Sequence, residues 1–142
     1  MAGPLMHTVT IDADAHKIYD AISTEKGLAS FWTKDSHAEP KVGSIGKFGF
    51  GGPTLEMKLD ELKPGKLVRW SIHKGFPGWE GTTVTWAIVP AKDGGHEVTF
   101  NHAGWPAEMP AAEIAHVNYT WGRVVGRLKK HIETGEAVPF FP

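Results

Sequence analysis

The chain has 142 residues, enough for one domain with a full hydrophobic core and no disulfide or metal support. Its 15 Lys and Arg residues nearly balance 16 Asp and Glu residues, so no strong field favours nucleic acid or an anionic membrane. The sequence has no cysteine, which excludes disulfides, thiolate catalysis and cysteine metal sites, and we expect a cytoplasmic protein.

The N-terminal segment Met1–Leu5 has neither a charged region nor an apolar core, so we expect no signal peptide. Apolar runs stay well below the ~20 residues of a membrane-spanning helix, so we expect no membrane insertion. Aromatic residues are the main compositional signal, with 6 Trp, 7 Phe and 2 Tyr. Such side chains combine a large apolar area with a polar edge, which suits a core or a cavity wall.

The chain begins with a predicted strand and two predicted short helices. Apolar residues alternate over Leu5–Ile11, which predicts a strand. Asp12 or Asp14 is placed to cap a helix over Ala15–Ile22. A break at Ser23 and Thr24 leads to a second predicted helix, Glu25–Trp32.

Strands dominate the middle of the chain. The polar segment Thr33–Ile45 is a predicted loop with room for a short edge strand, and Lys63–Lys66 is a predicted hairpin turn. Period-two alternation predicts strands on both sides of that turn: Lys47–Gly51, Leu55–Leu62, Leu67–His73, Thr82–Pro90 and Glu97–His102.

One long amphipathic helix is predicted over Ala111–Glu133, with Gly135 as its stop. Its apolar residues recur every three or four positions, so the helix must bury one stripe against the strands. We therefore predict an α+β fold in which an antiparallel sheet of six or seven strands curves around this helix. A curved sheet around a helix leaves a hollow suited to a small molecule.

The order of elements is carried by a set of short motifs spread over nearly the whole chain: Phe31–Trp32, Val42–Phe48, Leu59–Trp70, Gly81–Trp86, Glu97–Trp105 and Tyr119–Lys129. In this order they resemble the START-like or SRPBCC superfamily, whose helix-grip fold is also that of birch-pollen allergens. Within it, the chain is most similar to the family named after the activator of the ninety-kilodalton heat-shock chaperone's ATPase. The resemblance implies one START-like domain over residues 1–142. The family often has Gly-Trp where this chain has Trp121-Gly122, a departure that would rotate the indole.

Inward aromatics on neighbouring strands and on the helix predict an apolar pocket with its mouth near Trp32, the Phe76–Trp79 loop and Trp105. Each inward side chain has core packing as the alternative to lining the pocket. The predicted ligand-contacting residues are Trp32, Phe50, Met57, Trp70, Trp79, Trp86, Phe100, His102, Asn118 and Trp121.

His7 and His102, with Asn118, are the polar side chains expected to face inward. A neutral imidazole in an apolar pocket could orient a ligand carbonyl or exchange a proton, so His102 is the catalytic candidate. The alternative is a histidine satisfied by structural hydrogen bonds. The spacing of the eight histidines predicts no metal site, and the sequence has neither a serine-nucleophile elbow nor a phosphate loop. We expect no cofactor.

Two classes of function stay open on this basis. The first is a non-enzymatic binder of a small hydrophobic or amphipathic molecule, and the second is an enzyme of cyclase, dehydratase or lyase type that uses the same cavity. We favour the binder, because no inward carboxylate pairs with the isolated histidines. The resemblance also implies a third possibility, a co-chaperone-like stress-response protein with a chaperone partner. That reading has less weight, since we expect no counterpart of the additional N-terminal domain of the eukaryotic activator.

Overall fold

The computed structural model describes residues 3–142, so the first two residues of the segment expected to lack a signal peptide lie outside the described part. Seven strands and three helices follow one another along the chain: β1 (Leu5–Ile11), α1 (Ala15–Ser23), α2 (Glu25–Phe31), β2 (Ser36–His37), β3 (Ile45–Gly49), β4 (Thr54–Lys63), β5 (Leu67–Lys74), β6 (Thr83–Pro90), β7 (His96–Ala103) and α3 (Ala111–Thr134).

The seven strands form one antiparallel sheet in the order β1-β7-β6-β5-β4-β3-β2. From β2 to β7, each strand pairs with the next one along the chain. The first strand, β1, lies at the other edge of the sheet and pairs with β7. The β4–β5 pair has register shifts beside Met57 and Leu59, which bend the sheet at its centre. The architecture confirms the predicted helix-grip fold with seven strands.

One face of the sheet is buried and the other is open to solvent, as the alternation predicts. In β6, Val84, Trp86 and Ile88 are buried, while Thr85 and Ala87 between them are only half-buried. The buried faces of the strands meet α1, α2 and the second half of α3 in one hydrophobic cluster. The core therefore lies between the sheet and all three helices.

Local sequence signals explain where the short helices begin. The side chain of Asp14 accepts a hydrogen bond from the backbone of α1 at 2.9 Å, and that of Thr24 accepts one from Gly27 N at 3.1 Å. A Cβ at Gly27 would run into the carbonyl oxygen of Ala21, so glycine lets α1 and α2 pack closely. α3 begins after Pro110 without a side-chain cap and ends at Gly135, which has a left-handed φ of 79°.

One strand prediction needs correction. Phe50 was expected inside a strand over Lys47–Gly51, but β3 ends at Gly49, because Gly51 turns with a φ of 83° and Phe50 N bonds Pro53 O. Because β3 ends before it, Phe50 lies on a turn at the end of the sheet rather than in its core. The loop predicted at Thr33–Ile45 contains the short edge strand for which it had room.

Candidate functional site

A groove of about 740 Å³ lies at one end of the sheet, between the N-terminal half of α3 and the loops that face it. We call it the aromatic groove. Its walls come from the end of α2, the β3–β4, β5–β6 and β7–α3 loops, β4, α3 and the segment after α3. The lining residues are Trp32, Phe50, Leu55, Phe76, Pro77, Trp79, Met109, Ala112, Glu113, His116, Val117, Tyr119, Thr120, Trp121, Val124, Phe140 and Phe141.

Six aromatic rings form a closed circuit at this end of the molecule, and five of them line the groove. The centroids run from Trp121 to Trp32 (5.4 Å), Phe50 (5.7 Å), Phe76 (5.7 Å), Trp79 (5.0 Å), His102 (4.9 Å) and back to Trp121 (6.0 Å). Tilted and edge-to-face pairs at such separations are favourable aromatic geometries. The circuit provides a broad apolar surface for a ligand to contact.

The segment that follows α3 turns back and completes the wall. Its backbone N–H groups at Val138, Phe140 and Phe141 donate to carbonyl oxygens at the end of α2, at 2.7, 3.2 and 2.9 Å. These bonds satisfy carbonyls that a helix end leaves without partners. The guanidinium of Arg127 donates to Val138 O at 3.1 Å and lies over the Phe140 ring. The two phenylalanines are thereby held against the groove.

The helical wall of the groove is where its polar side chains lie. Residues at spacings of three or four bring Glu113, His116 and Thr120 of α3 to the same side. The Thr120 hydroxyl donates to the backbone carbonyl of His116 at 2.9 Å, and the Tyr119 hydroxyl accepts from Arg123 at 2.8 Å. The opposite walls are formed by aromatic and aliphatic side chains.

His102 is fully buried directly behind the groove, and both of its ring nitrogens are engaged. Trp121 Nε1–H donates to Nδ1 at 3.1 Å, which leaves the proton on Nε2. Nε2–H then donates to the Thr82 hydroxyl at 2.9 Å, and that hydroxyl donates to Trp79 O at 2.6 Å. Trp105 Nε1–H donates to the His102 carbonyl at 3.0 Å. The network connects β7 to α3, to the β5–β6 loop and to the β7–α3 loop.

The electrostatics of this network keep the imidazole neutral. Burial lowers the pKa of His102 from 6.5 to about 3. A proton-transfer catalyst near neutral pH needs a pKa near the working pH and an open ring nitrogen. His102 has neither, so the arrangement is that of a structural histidine which fixes the indole of Trp121.

The structure brings four of the predicted ligand-contacting residues onto the groove wall: Trp32, Phe50, Trp79 and Trp121. Five others lie in the packed core behind the wall: Met57, Trp70, Trp86, Phe100 and His102. The core set is covered by neighbouring rings. Phe31 of α2 packs edge-on against Trp86 at 5.8 Å, and Phe48 packs edge-on against Trp70 at 5.9 Å.

Asn118 and Trp105 also lie away from the predicted positions. Asn118 is exposed on α3, and its side-chain oxygen accepts a hydrogen bond from His7 Nε2 at 2.9 Å, so it faces β1 instead of the groove. Trp105 is buried behind Trp79, with ring centroids 5.4 Å apart, and forms no part of the mouth. Contact of any of the ten residues with a ligand stays a prediction.

Sequence reasoning did not place Met109, Phe140, Phe141 or the polar α3 residues Glu113, His116 and Thr120 in the site. The signal for the two phenylalanines was present, because an apolar segment Ala137–Pro142 follows the helix stop at Gly135. Among residues 3–142, no group of three or more metal-binding side chains comes together, and no helix is long and apolar enough to cross a membrane.

The family model for activator of Hsp90 ATPase homolog 1-like proteins matches residues 12–133. The chain belongs to this family. An Aha1 from Colwellia psychrerythraea, solved in solution as a dimer, is 31% identical; the match covers 95% of this chain and 98% of that one, with a TM-score of 0.83.

This Aha1-like chain shares its fold with two more distant proteins. DynU16, a putative protein of the dynemicin biosynthetic locus, is 22% identical over 96% of this chain and 49% of its own, with a TM-score of 0.78. Protein BH1534 of Bacillus halodurans is 17% identical over 93% and 98%, with a TM-score of 0.77. No protein of curated function matches the sequence.

Proposed function

We propose that this chain binds a small hydrophobic or amphipathic molecule in the aromatic groove. The observation that carries the proposal is a groove of about 740 Å³ whose walls are aromatic on the loop side and polar only along α3. Ligand sites in proteins typically have roughly 300–1,000 Å³, mostly apolar walls and a few polar groups that orient the ligand. The groove meets each of these criteria.

An enzymatic role in the same groove is the alternative, and the chemistry of the site gives it less support. His102 is enclosed, doubly hydrogen-bonded and neutral. The candidate acid–base pair in the groove is Glu113 and His116, which lie one helical turn apart on α3. This alternative would be favoured if the native chain turned over a polyketide-like substrate and the Glu113→Gln variant did not.

A co-chaperone-like role comes from the family description and from the dimeric Aha1 of Colwellia psychrerythraea. It concerns a protein partner and not the groove. The two roles differ in a direct way: a protein partner would perturb an exposed surface of the sheet or helices, whereas a small ligand would perturb the groove residues alone.

The binding proposal is tested by titrating a panel of lipids, flavonoids and polyketides into the ¹⁵N-labelled chain. We expect changes in amide chemical shift concentrated at the β5–β6 loop, the first half of α3 and the segment after α3. We also expect quenching of tryptophan fluorescence. A ligand at a hundredfold excess over its dissociation constant should stabilise the fold by about 2.7 kcal/mol.

A matched pair of variants locates the site. Thr120→Phe places a ring in the groove and removes only a hydrogen bond to a backbone carbonyl of the same helix. Ala115→Phe adds a ring on an exposed part of α3 outside the groove. Binding should be lost in the first variant and retained in the second. Equal binding by both variants, or no binding by the whole panel, would show the proposal to be wrong.

A further inference from the structure

Within the part of the chain that the structure describes, the groove wall carries a negative formal charge and no positive one. Among the described residues that line the groove, Glu113 is the single acidic side chain, and neither lysine nor arginine contributes to the wall. The Glu113 carboxylate forms no hydrogen bond or ion pair with residues 3–142, and neither does the His116 ring. Both side chains are exposed to solvent, and they lie one helical turn apart on α3.

Two arginines of α3 near the groove are engaged elsewhere. The guanidinium of Arg123 donates to the Tyr119 hydroxyl at 2.8 Å, and that of Arg127 donates to the tail carbonyl at Val138. From residue 103 to residue 122, the chain carries Glu108 and Glu113 and no Lys or Arg. The β5–β6 loop, residues 75–82, likewise carries one acid and no base. The end of the groove beside the start of α3 is thus acidic.

The N-terminus of α3 opposes this acidity to some degree. A helix N-terminus carries about half a positive charge, spread over its first turn, and on its own it favours an anion. Glu113 places a full negative charge in that same turn, and it exceeds the dipole at this end of the groove. Aromatic rings also attract cations over their faces, and the walls outside α3 contribute six: Trp32, Phe50, Phe76, Trp79, Phe140 and Phe141.

We propose that the aromatic groove prefers hydrophobic molecules that carry an amine, with the ammonium group hydrogen-bonded to Glu113 and the apolar body against the aromatic wall. The inference rests on the proposed ligand-binding function. A carboxylate is an acceptor only, so its natural partner is a cationic donor. The same geometry disfavours fatty acids and other apolar carboxylates, because their charge would face Glu113.

Four probes with the same decyl chain separate charge from hydrogen bonding: decylammonium, decyltrimethylammonium, decanol and decanoate. Dissociation constants are measured by tryptophan fluorescence at low salt and about pH 8, where amines are charged and carboxylic acids ionised. We expect decylammonium to bind about two- to fivefold more tightly than decanol, the range of a solvent-exposed charge interaction. Decyltrimethylammonium, which lacks a donor, should fall between these two, and decanoate should bind most weakly.

Two variants remove the same charge at different places. Glu113→Gln should abolish the preference for decylammonium over decanol, while Glu97→Gln, on the exposed face of β7, should keep it. This inference fails if decanol binds but decanoate binds as tightly as decylammonium or more tightly. It also fails if Glu113→Gln keeps the preference for decylammonium over decanol. In both cases the groove would still be a site for hydrophobic molecules. If none of the four probes binds although a member of the lipid, flavonoid and polyketide panel does, this inference alone fails; if neither set binds, the proposed function fails.

Discussion

The buried imidazole of His102 predicts a loss of stability as the pH falls below neutrality. Burial lowers the pKa of His102 from 6.5 to about 3 in the folded chain. Because the folded-state pKa lies below the unfolded value, the unfolded chain binds the additional proton. The stabilisation by neutral His102 is therefore complete above about pH 6.5 and is lost as the pH falls toward 3.

The magnitude follows from the difference in pKa. Each unit of separation corresponds to about 1.4 kcal/mol, so the free energy of unfolding should fall at nearly that rate per pH unit below about pH 6. Between about pH 7 and pH 5, the contribution of this one group amounts to roughly 2 kcal/mol. That is a large part of the stability of a typical small domain, about 5–15 kcal/mol.

The assay is urea unfolding of the native chain and of His102→Gln at about pH 7, 6 and 5. Glutamine keeps a donor and an acceptor but does not titrate, and the carboxylates contribute equally to both proteins. The difference between the two pH profiles therefore reports His102, and we expect it to reach roughly 2 kcal/mol.

If the variant does not fold, the same question is answered by NMR of the histidine rings in the native chain. The His102 ring should stay in the neutral Nε2–H form down to about pH 5. Parallel pH profiles for the two proteins, or a His102 ring that gains its proton near the unfolded value of 6.5, would refute the reasoning.

Three further predictions concern packing and capping, and each is measured by urea unfolding. Trp121→Ala should cost about 3–5 kcal/mol, because a buried indole is removed; a loss under about 1 kcal/mol would contradict its buried position. Gly27→Ala should cost about 1–3 kcal/mol through collision with Ala21, whereas Gly126→Ala, which has open space in α3, should stabilise by about 0.5–1 kcal/mol. Equal effects at the two glycines would speak against close packing of α1 on α2. Asp14→Ala should cost about 1 kcal/mol by removing the cap of α1, and no change would show that the cap is dispensable.

The fold was predictable because its periodicities are local. The alternation of Val84, Trp86 and Ile88 gives the buried face of β6 without knowledge of its neighbours. The stripe of α3 has the same property, and the predicted helix over Ala111–Glu133 differs from the observed one by a single residue. The pairing of β1 with β7 was not predicted, because no local pattern fixes which distant strands meet.

The site was only partly predictable, because alternation gives the face of a side chain but not its depth. Trp86 and Trp121 are both inward aromatics, yet Trp86 is covered by Phe31 and Trp121 borders the groove. The difference depends on which side chains pack over each ring, which only the tertiary structure determines. Phe140 and Phe141 were missed for a related reason, since their place depends on hydrogen bonds to α2, far away in sequence.

The hydrogen-bond network of His102 gives the groove one rigid end and one adaptable end. Trp121 packs on Phe100 at 4.4 Å on its core side, and its indole N–H is fixed by His102, so its ring is held in place before any ligand arrives. A preorganised ring costs a ligand little ordering entropy. Phe50 and Phe76 are half-buried, lie on loops and have no polar group to anchor them. If the groove binds a ligand as proposed, its shape selectivity should be set at Trp121, while the phenylalanine side should adjust to ligands of different width.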